Sequence, residues 1–180
     1  MKATGIVRRI DDLGRVVIPK EIRRTMRIRE GDPLEIYTDH EGEVIFKKYS
    51  PIEELAETAA QFAEACSKAC GFAVVVIDRD MIVSCAGIPK KDMLEHKISP
   101  DIDSIIDSRQ LYAWRSGDKK IHVTDRQDKY YAKVVMPIFS EGDIIGAVSV
   151  IDTENMAEPT ECEIKIIQTA ALFLGKQLEN

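Results

Sequence analysis

The stretch Thr4-Gly5-Ile6-Val7-Arg8-Arg9-Ile10-Asp11-Asp12-Leu13-Gly14-Arg15-Val16-Val17-Ile18-Pro19 decides the fold of the N-terminal part of the chain. Residues 4–10 read as a strand, 11–14 as a turn in which Gly14 can take a positive φ, and 15–18 as a second, β-branched strand. Pro19 suits the first position of a helix, where its missing N–H costs nothing. That helix is expected over residues 19–27, with Ile22 and Met26 on one stripe and Arg23, Arg24 and Arg27 on the other side. Gly31-Asp32-Pro33 ends it, and strands at 34–37 and 43–46 flank the turn 39–42. The order is ββαββ.

Fifty residues in four short strands and one short helix bury little apolar surface, so a unit this small needs a disulfide, a metal or a partner chain. The first cysteine is Cys66, and no metal-ligand cluster is present. A partner chain is the remaining route, so residues 1–50 are expected to fold as a dimer.

The 180-residue chain carries a net charge of −6, which alone would argue against a polyanionic partner. Its distribution reverses that conclusion. Residues 1–29 hold nine Lys/Arg against three Asp/Glu, residues 30–50 two against six, and residues 51–180 fourteen against twenty-two. A basic segment on an otherwise acidic protein is the electrostatic footprint of a nucleic-acid-binding module. Clustered cations gain affinity by releasing counterions from DNA, and the planar fork of arginine can hold a phosphate or a guanine edge with two hydrogen bonds. No long recognition helix is evident, which argues against helix-turn-helix docking.

Residues 51–180 have a different texture. Ser50-Pro51-Ile52-Glu53 reads as a capped helix start, and Ile52, Leu55, Ala59, Phe62, Cys66 and Ala69 form one apolar stripe up to a stop at Gly71. Strands are expected at 73–77 and 81–86, short helices and loops over 89–109, a strand at 120–124, and long strands at 131–139 and 143–151 around Ser140-Glu141-Gly142. Thr160 and Glu163 form a capping box for a final helix striped by Ile164, Ile167, Ala171, Leu174 and Leu178. The two long helices are expected to share a face of the sheet or to meet a second subunit. No apolar run approaches the roughly 20 residues of a membrane helix, and the N-terminus lacks the apolar core of a secretory signal, so a cytoplasmic location is expected, without a membrane partner.

The quoted N-terminal stretch, continued by Lys20-Glu21-Ile22-Arg23-Arg24-Thr25, closely resembles the AbrB family of transition-state regulators through residue 50. The resemblance implies a swapped-hairpin β-barrel made by two intertwined chains and DNA binding through Arg8, Arg15, Arg23 and Arg24, with Lys2 and Arg9 as secondary candidates. Val135-Met136-Pro137-Ile138-Phe139, followed by Gly142-Asp143-Ile144-Ile145-Gly146-Ala147-Val148-Ser149-Val150, resembles a GAF domain, a small-molecule sensor fold. The expected class is therefore α+β: an AbrB-like domain at 1–50 and a GAF-like α/β domain at 51–180 flanked by long helices. In tandem the two imply an activator or repressor of sporulation genes, with double-stranded DNA as partner. They also imply a homodimer through the N-terminal domain, or a homotetramer if the GAF-like helices also pair, and an unidentified small-molecule effector.

Other chemistry has weaker support. Cys66 and Cys70 share a helix face but lack a second Cys/His pair at zinc spacing, so packing is the plainer role. His40, His96 and His122 are scattered. Trp114, Tyr112 and Met93 could line a sensor pocket, although aromatic and Met residues are more often plain core. No cofactor, metal or catalytic constellation is expected. Two alternatives remain: an antitoxin of the swapped-hairpin type, which would end in an extended tail, and a GAF-type thiol reductase with Cys85 as nucleophile.

Overall fold

The computed structural model describes residues 5–126 and 129–179. The chain divides into two compact units, Met1–Tyr49 and Ser50–Asn180. In the first, helix α1 spans Lys20–Thr25, and strands β1 (Leu34–Thr38) and β2 (Val44–Lys48) pair antiparallel as an open two-stranded sheet. A single chain closes no barrel among its described residues.

Two turns in this unit are built the same way. Asp11 Oδ1 accepts hydrogen bonds from the backbone of Leu13 at 3.0 Å and Arg15 at 2.7 Å. Asp39 Oδ1 accepts from Glu41 at 3.0 Å and Glu43 at 2.8 Å. In each, the glycine three residues on takes the left-handed conformation, φ 77° at Gly14 and 85° at Gly42. A carboxylate that caps its own turn, followed by a glycine, lets the strands leave in opposite directions.

The expected strands at 4–10 and 15–18 are absent as strands among the described residues: 5–10 and 15–18 are irregular limbs around the Asp11 turn, joined where the Asp11 N–H donates to the Arg15 carbonyl at 3.0 Å. An isolated two-stranded ribbon with no covered face is marginal in water, and these limbs are uncovered. Val7, Ile10, Leu13 and Val17 are 69–85% exposed, and Pro19 is the one buried residue among those described in this unit. The helix is shorter than expected, with Pro19 preceding it at ψ 147° and Met26 at its C-cap.

The second unit is a five-stranded antiparallel sheet in the order β4-β3-β7-β6-β5. Its strands are β3 (Ala73–Ile77), β4 (Ile82–Ala86), β5 (Tyr112–Ala113), β6 (Tyr131–Ser140) and β7 (Asp143–Asp152). Helices α2 (Pro51–Glu54), α3 (Ala56–Cys70) and α6 (Glu161–Gln177) cover one face, and α4 (Lys90–Met93) with α5 (Pro100–Asp107) contributes to the other. Strand alternation divides the sheet residues between two cores: Val74, Val76, Val148 and Val150 meet Ala59, Ala63, Ile167 and Leu174, while Val75, Ile77, Val135 and Ala147 meet Met93, Ile102 and Ile106. The two long helices do share one sheet face. The approach of α6 to β6 depends on an absent side chain, because a Cβ at Gly175 would run into the Phe139 carbonyl, and β7 meets β3 under the same constraint, because one at Gly146 would run into the Ile77 carbonyl.

Several local expectations change. The helix at 51–70 is interrupted at Leu55 (φ −95°, ψ 12°). Ser50 precedes it but makes no side-chain cap; its hydroxyl instead donates to Asp78 Oδ2 at 3.3 Å. Ala63 is buried where Ala69 was expected. Residues 120–124 make only the isolated bridges Ile98↔Thr124 and His122↔Tyr131, since the segment pairs with two different neighbours and no ladder propagates. β5 was not anticipated, being two residues long.

The capping box at α6 forms as read. The Glu163 N–H donates to Thr160 Oγ1 at 3.2 Å, while the Thr160 N–H donates to Glu163 Oε2 at 2.6 Å. The same carboxylate accepts from Lys133 Nζ of β6 at 2.7 Å, and both side chains are less than one-tenth exposed. Burial pushes the Glu163 carboxyl up, but the bonds from Lys133 and Thr160 outweigh it and hold it below the usual range. A lowered carboxyl gives stability that is present above about pH 4.3, the unfolded value, and is lost as pH falls through the lower folded value. Two outcomes are expected in urea unfolding followed by Trp114 fluorescence. Lys133→Met lowers stability by about 3–5 kcal/mol at neutral pH, since it strands a buried charge. Glu163→Gln loses part of the acid dependence of the native chain.

Candidate nucleic-acid interface

The four arginines singled out from the sequence fall into two pairs, each set by local chemistry. Arg8 and Arg15 leave the Asp11 turn on opposite limbs, and both are exposed. Arg8 Nη1 donates to the Val7 carbonyl at 3.2 Å. Arg15 is oriented more firmly: its Nε lies 2.7 Å from Asp11 Oδ2, although its side chain stays 70% exposed. The Arg15 N–H first, then its guanidinium, hold the Asp11 carboxyl below its usual range. Asp11 therefore caps the turn with one oxygen and aims Arg15 with the other. A charge tally enters Asp11 as a cost to anion binding and so misses this role; the four-residue spacing was the available signal.

Arg23 and Arg24 occupy α1, adjacent in sequence. Arg24 is exposed and Arg23 half-buried, with a buried Nε that has no hydrogen-bond partner. Arg9 is exposed, and Lys2 lies outside the described residues. Exposed cations beside exposed Val7, Ile10 and Val17 make a surface of mixed character, one part suited to an anion and one to burial.

The candidate sensor residues of the second unit are packed. Met93 is fully buried, and the Trp114 indole N–H donates to the Asp118 carbonyl at 3.2 Å. Tyr112 is half-buried with an unpartnered hydroxyl, and burial, then Asp118 and Asp101, push its pKa up. His122 packs on the Tyr131 ring at 4.6 Å. Cys66 is buried and its thiol is pushed up to about 11 by burial and by Cys70. Cys85 is also buried, and burial raises its pKa; a nucleophile needs the opposite shift, toward thiolate. No group of three or more His, Cys, Asp and Glu suited to a metal ion occurs among the described residues, and no helix among them is long and apolar enough to cross a membrane.

Comparison with known proteins gives a concordant picture. Residues 54–179 match the family described as stage V sporulation protein T C-terminal, transcription factor, and residues 7–54 match antidote-toxin recognition MazE, bacterial antitoxin. The second unit is similar to the blue-light absorbing GAF domain of PixJ from Thermosynechococcus elongatus, with TM-score 0.54 and 15% identity over 72% of this chain and 87% of that one, a likeness of fold. The transition state regulatory protein AbrB of Bacillus subtilis (strain 168) is 65% identical over 51 residues, 28% of this chain and 52% of AbrB. An AbrB-like segment followed by a GAF-like domain defines a transcription factor of composite build. The relationship extends over the whole length: stage V sporulation protein T of Bacillus subtilis (strain 168) is 48% identical over 180 residues, 99% of each chain. The chain belongs to the stage V sporulation protein T family of transcription factors.

Thiol titration checks the packing. Cys70 and Cys162 are exposed and Cys66 and Cys85 buried, so two thiols are expected to react rapidly with a disulfide reagent in the native protein. The other two react on the timescale of unfolding.

Proposed function

We propose that the chain is a DNA-binding transcription regulator of sporulation genes that acts as an intertwined homodimer, with Arg8, Arg15, Arg23 and Arg24 as its DNA contacts. The uncovered state of the first unit carries this reading. Among its described residues only Pro19 is buried, while Val7, Ile10, Leu13 and Val17 stand at 69–85% exposure. A second copy supplies the missing cover, and the limbs at 5–10 and 15–18 become strands when each finds a ladder partner in the other chain. Dimerisation then sets eight arginines in two-fold symmetry, matched to a DNA site with the same symmetry. Residues 1–50 are the DNA-binding domain in this reading, and residues 51–180 the sensor and oligomerisation domain.

Contacts are mainly to phosphates, with a few base edges and a contribution from DNA shape. The GAF-like domain binds a small effector or holds two dimers together. Leu172 at 64% and Phe173 at 40% exposure, the latter stacked on Phe62 at 5.9 Å, are the large apolar residues left uncovered on this unit, and a tetramer would use this patch. The protein acts in the cytoplasm, where its DNA is. The antitoxin reading is less well supported, since the segment after residue 50 is a folded sheet with two cores rather than an extended tail.

The test is a gel shift on promoter DNA across a salt series. Arg8→Ala and Arg24→Ala are expected to leave the dimer folded, weaken binding, and flatten the log–log salt slope by roughly 1 for each phosphate contact removed. An unchanged slope in both variants would remove these arginines from the interface.

A further inference from the structure

The C-terminal end of α1 is closed by a device that reaches across the unit. The Ile28 N–H donates to the Arg23 carbonyl at 2.7 Å and the Arg27 N–H to the Arg24 carbonyl at 3.3 Å. These bonds, from the second and first residues past the C-cap back to the third- and second-last helical carbonyls, are the Schellman arrangement. It requires a left-handed residue just past the cap, usually glycine; here Arg27 takes that place at φ 52°. A side chain held there is strained, so something must hold the conformation.

Lys48, at the end of β2, is placed to do so. Its Nζ donates to the Arg27 carbonyl at 3.1 Å and lies 3.6 Å from Asp32 Oδ2. Asp32 Oδ2 also accepts from the Arg29 N–H at 2.8 Å. The lysine and aspartate side chains are only 22% and 16% exposed, well covered for a unit whose surface is otherwise open. A cation at a helix C-terminus is also favoured by the helix dipole. The chain immediately past α1 is thus fastened to β2 on both sides of Ile28, and the two carbonyls that the cap closes belong to Arg23 and Arg24.

We infer that Lys48 and Asp32 are positioning residues for DNA recognition: they hold the cap that fixes the direction in which Arg23 and Arg24 leave α1, and Lys48 itself is not a phosphate ligand. The inference rests on the proposed arginine interface. It assigns different work to cations that a charge count treats alike.

The test compares Lys48→Met, Lys48→Arg, Asp32→Asn and Arg24→Ala in the full-length protein. Each is assayed for DNA affinity over a salt series and for melting temperature, with binding measured well below the lowest melting point. Positioning predicts that Lys48→Met weakens binding roughly fivefold, a ratio of ~1 kcal/mol, with the salt slope of the native protein, and that Lys48→Arg restores most of it. Asp32→Asn is the sharper variant. It removes a negative charge, so a pure field effect would tighten DNA binding, whereas loss of the clamp weakens it. Tighter binding by Asp32→Asn, native affinity in Lys48→Met, or a slope flattened in Lys48→Met as in Arg24→Ala would overturn the inference. Native affinity and slope in Arg24→Ala would instead count against the arginine interface itself.

Discussion

The uncovered apolar surface of the first unit is the constraint on which the rest depends. Its residues have strand-forming composition and well-made turns, yet almost nothing inside. Burial supplies about 25 cal/mol per Å² of apolar area removed from water, against a cost of roughly 1–2 kcal/mol for each backbone residue fixed. A unit whose valines and isoleucines stay in water cannot meet that cost alone. Its turns and the Lys48 contacts are the local ordering devices of a unit that is otherwise uncovered. On the proposed reading, a DNA-binding face that exists only in the assembled state follows, because the limbs that carry Arg8 and Arg15 are those that lack a ladder.

The second unit solves the same problem within one chain. Its sheet is covered on both sides; α6 approaches β6 closely enough that Gly175 leaves no room for a side chain, and β7 lies close enough to β3 that Gly146 leaves none either. The Lys133–Glu163 pair then joins β6 to the start of α6 through a carboxylate that also completes a helix cap. One acid doing both tasks ties the register of α6 to the sheet.

What could be read from the sequence was what is encoded locally. The Thr160–Glu163 box needs two residues three apart, and the long hairpin β6–β7 announces itself through β-branched runs around Glu141-Gly142. The turns at Asp11 and Asp39 follow from an aspartate and a glycine at fixed offset, and both formed. The misses share a cause. Ser50 looked like a cap because its neighbours fit one, but its hydroxyl answers to Asp78, 28 residues away. Lys133 and Lys48 carried no signal, since their partners are distant in sequence. The strands expected at 4–10 and 15–18 have the right composition, yet the described residues of those limbs find no ladder partner within the chain. Charge segregation singled out the proposed arginines as a group, whereas the contacts of Asp11 with Arg15 and of Lys48 with Arg27 and Asp32 were not anticipated.

Hydrogen exchange read by mass spectrometry on the full-length protein across a dilution series, with native mass measured at each concentration, tests the central claim most directly. The account predicts a dimer in which amides of residues 5–10 and 15–18 are protected, protection that disappears as the dimer dissociates while β6 and β7 stay protected. A monomer that binds promoter DNA with those amides exchanging freely would contradict it.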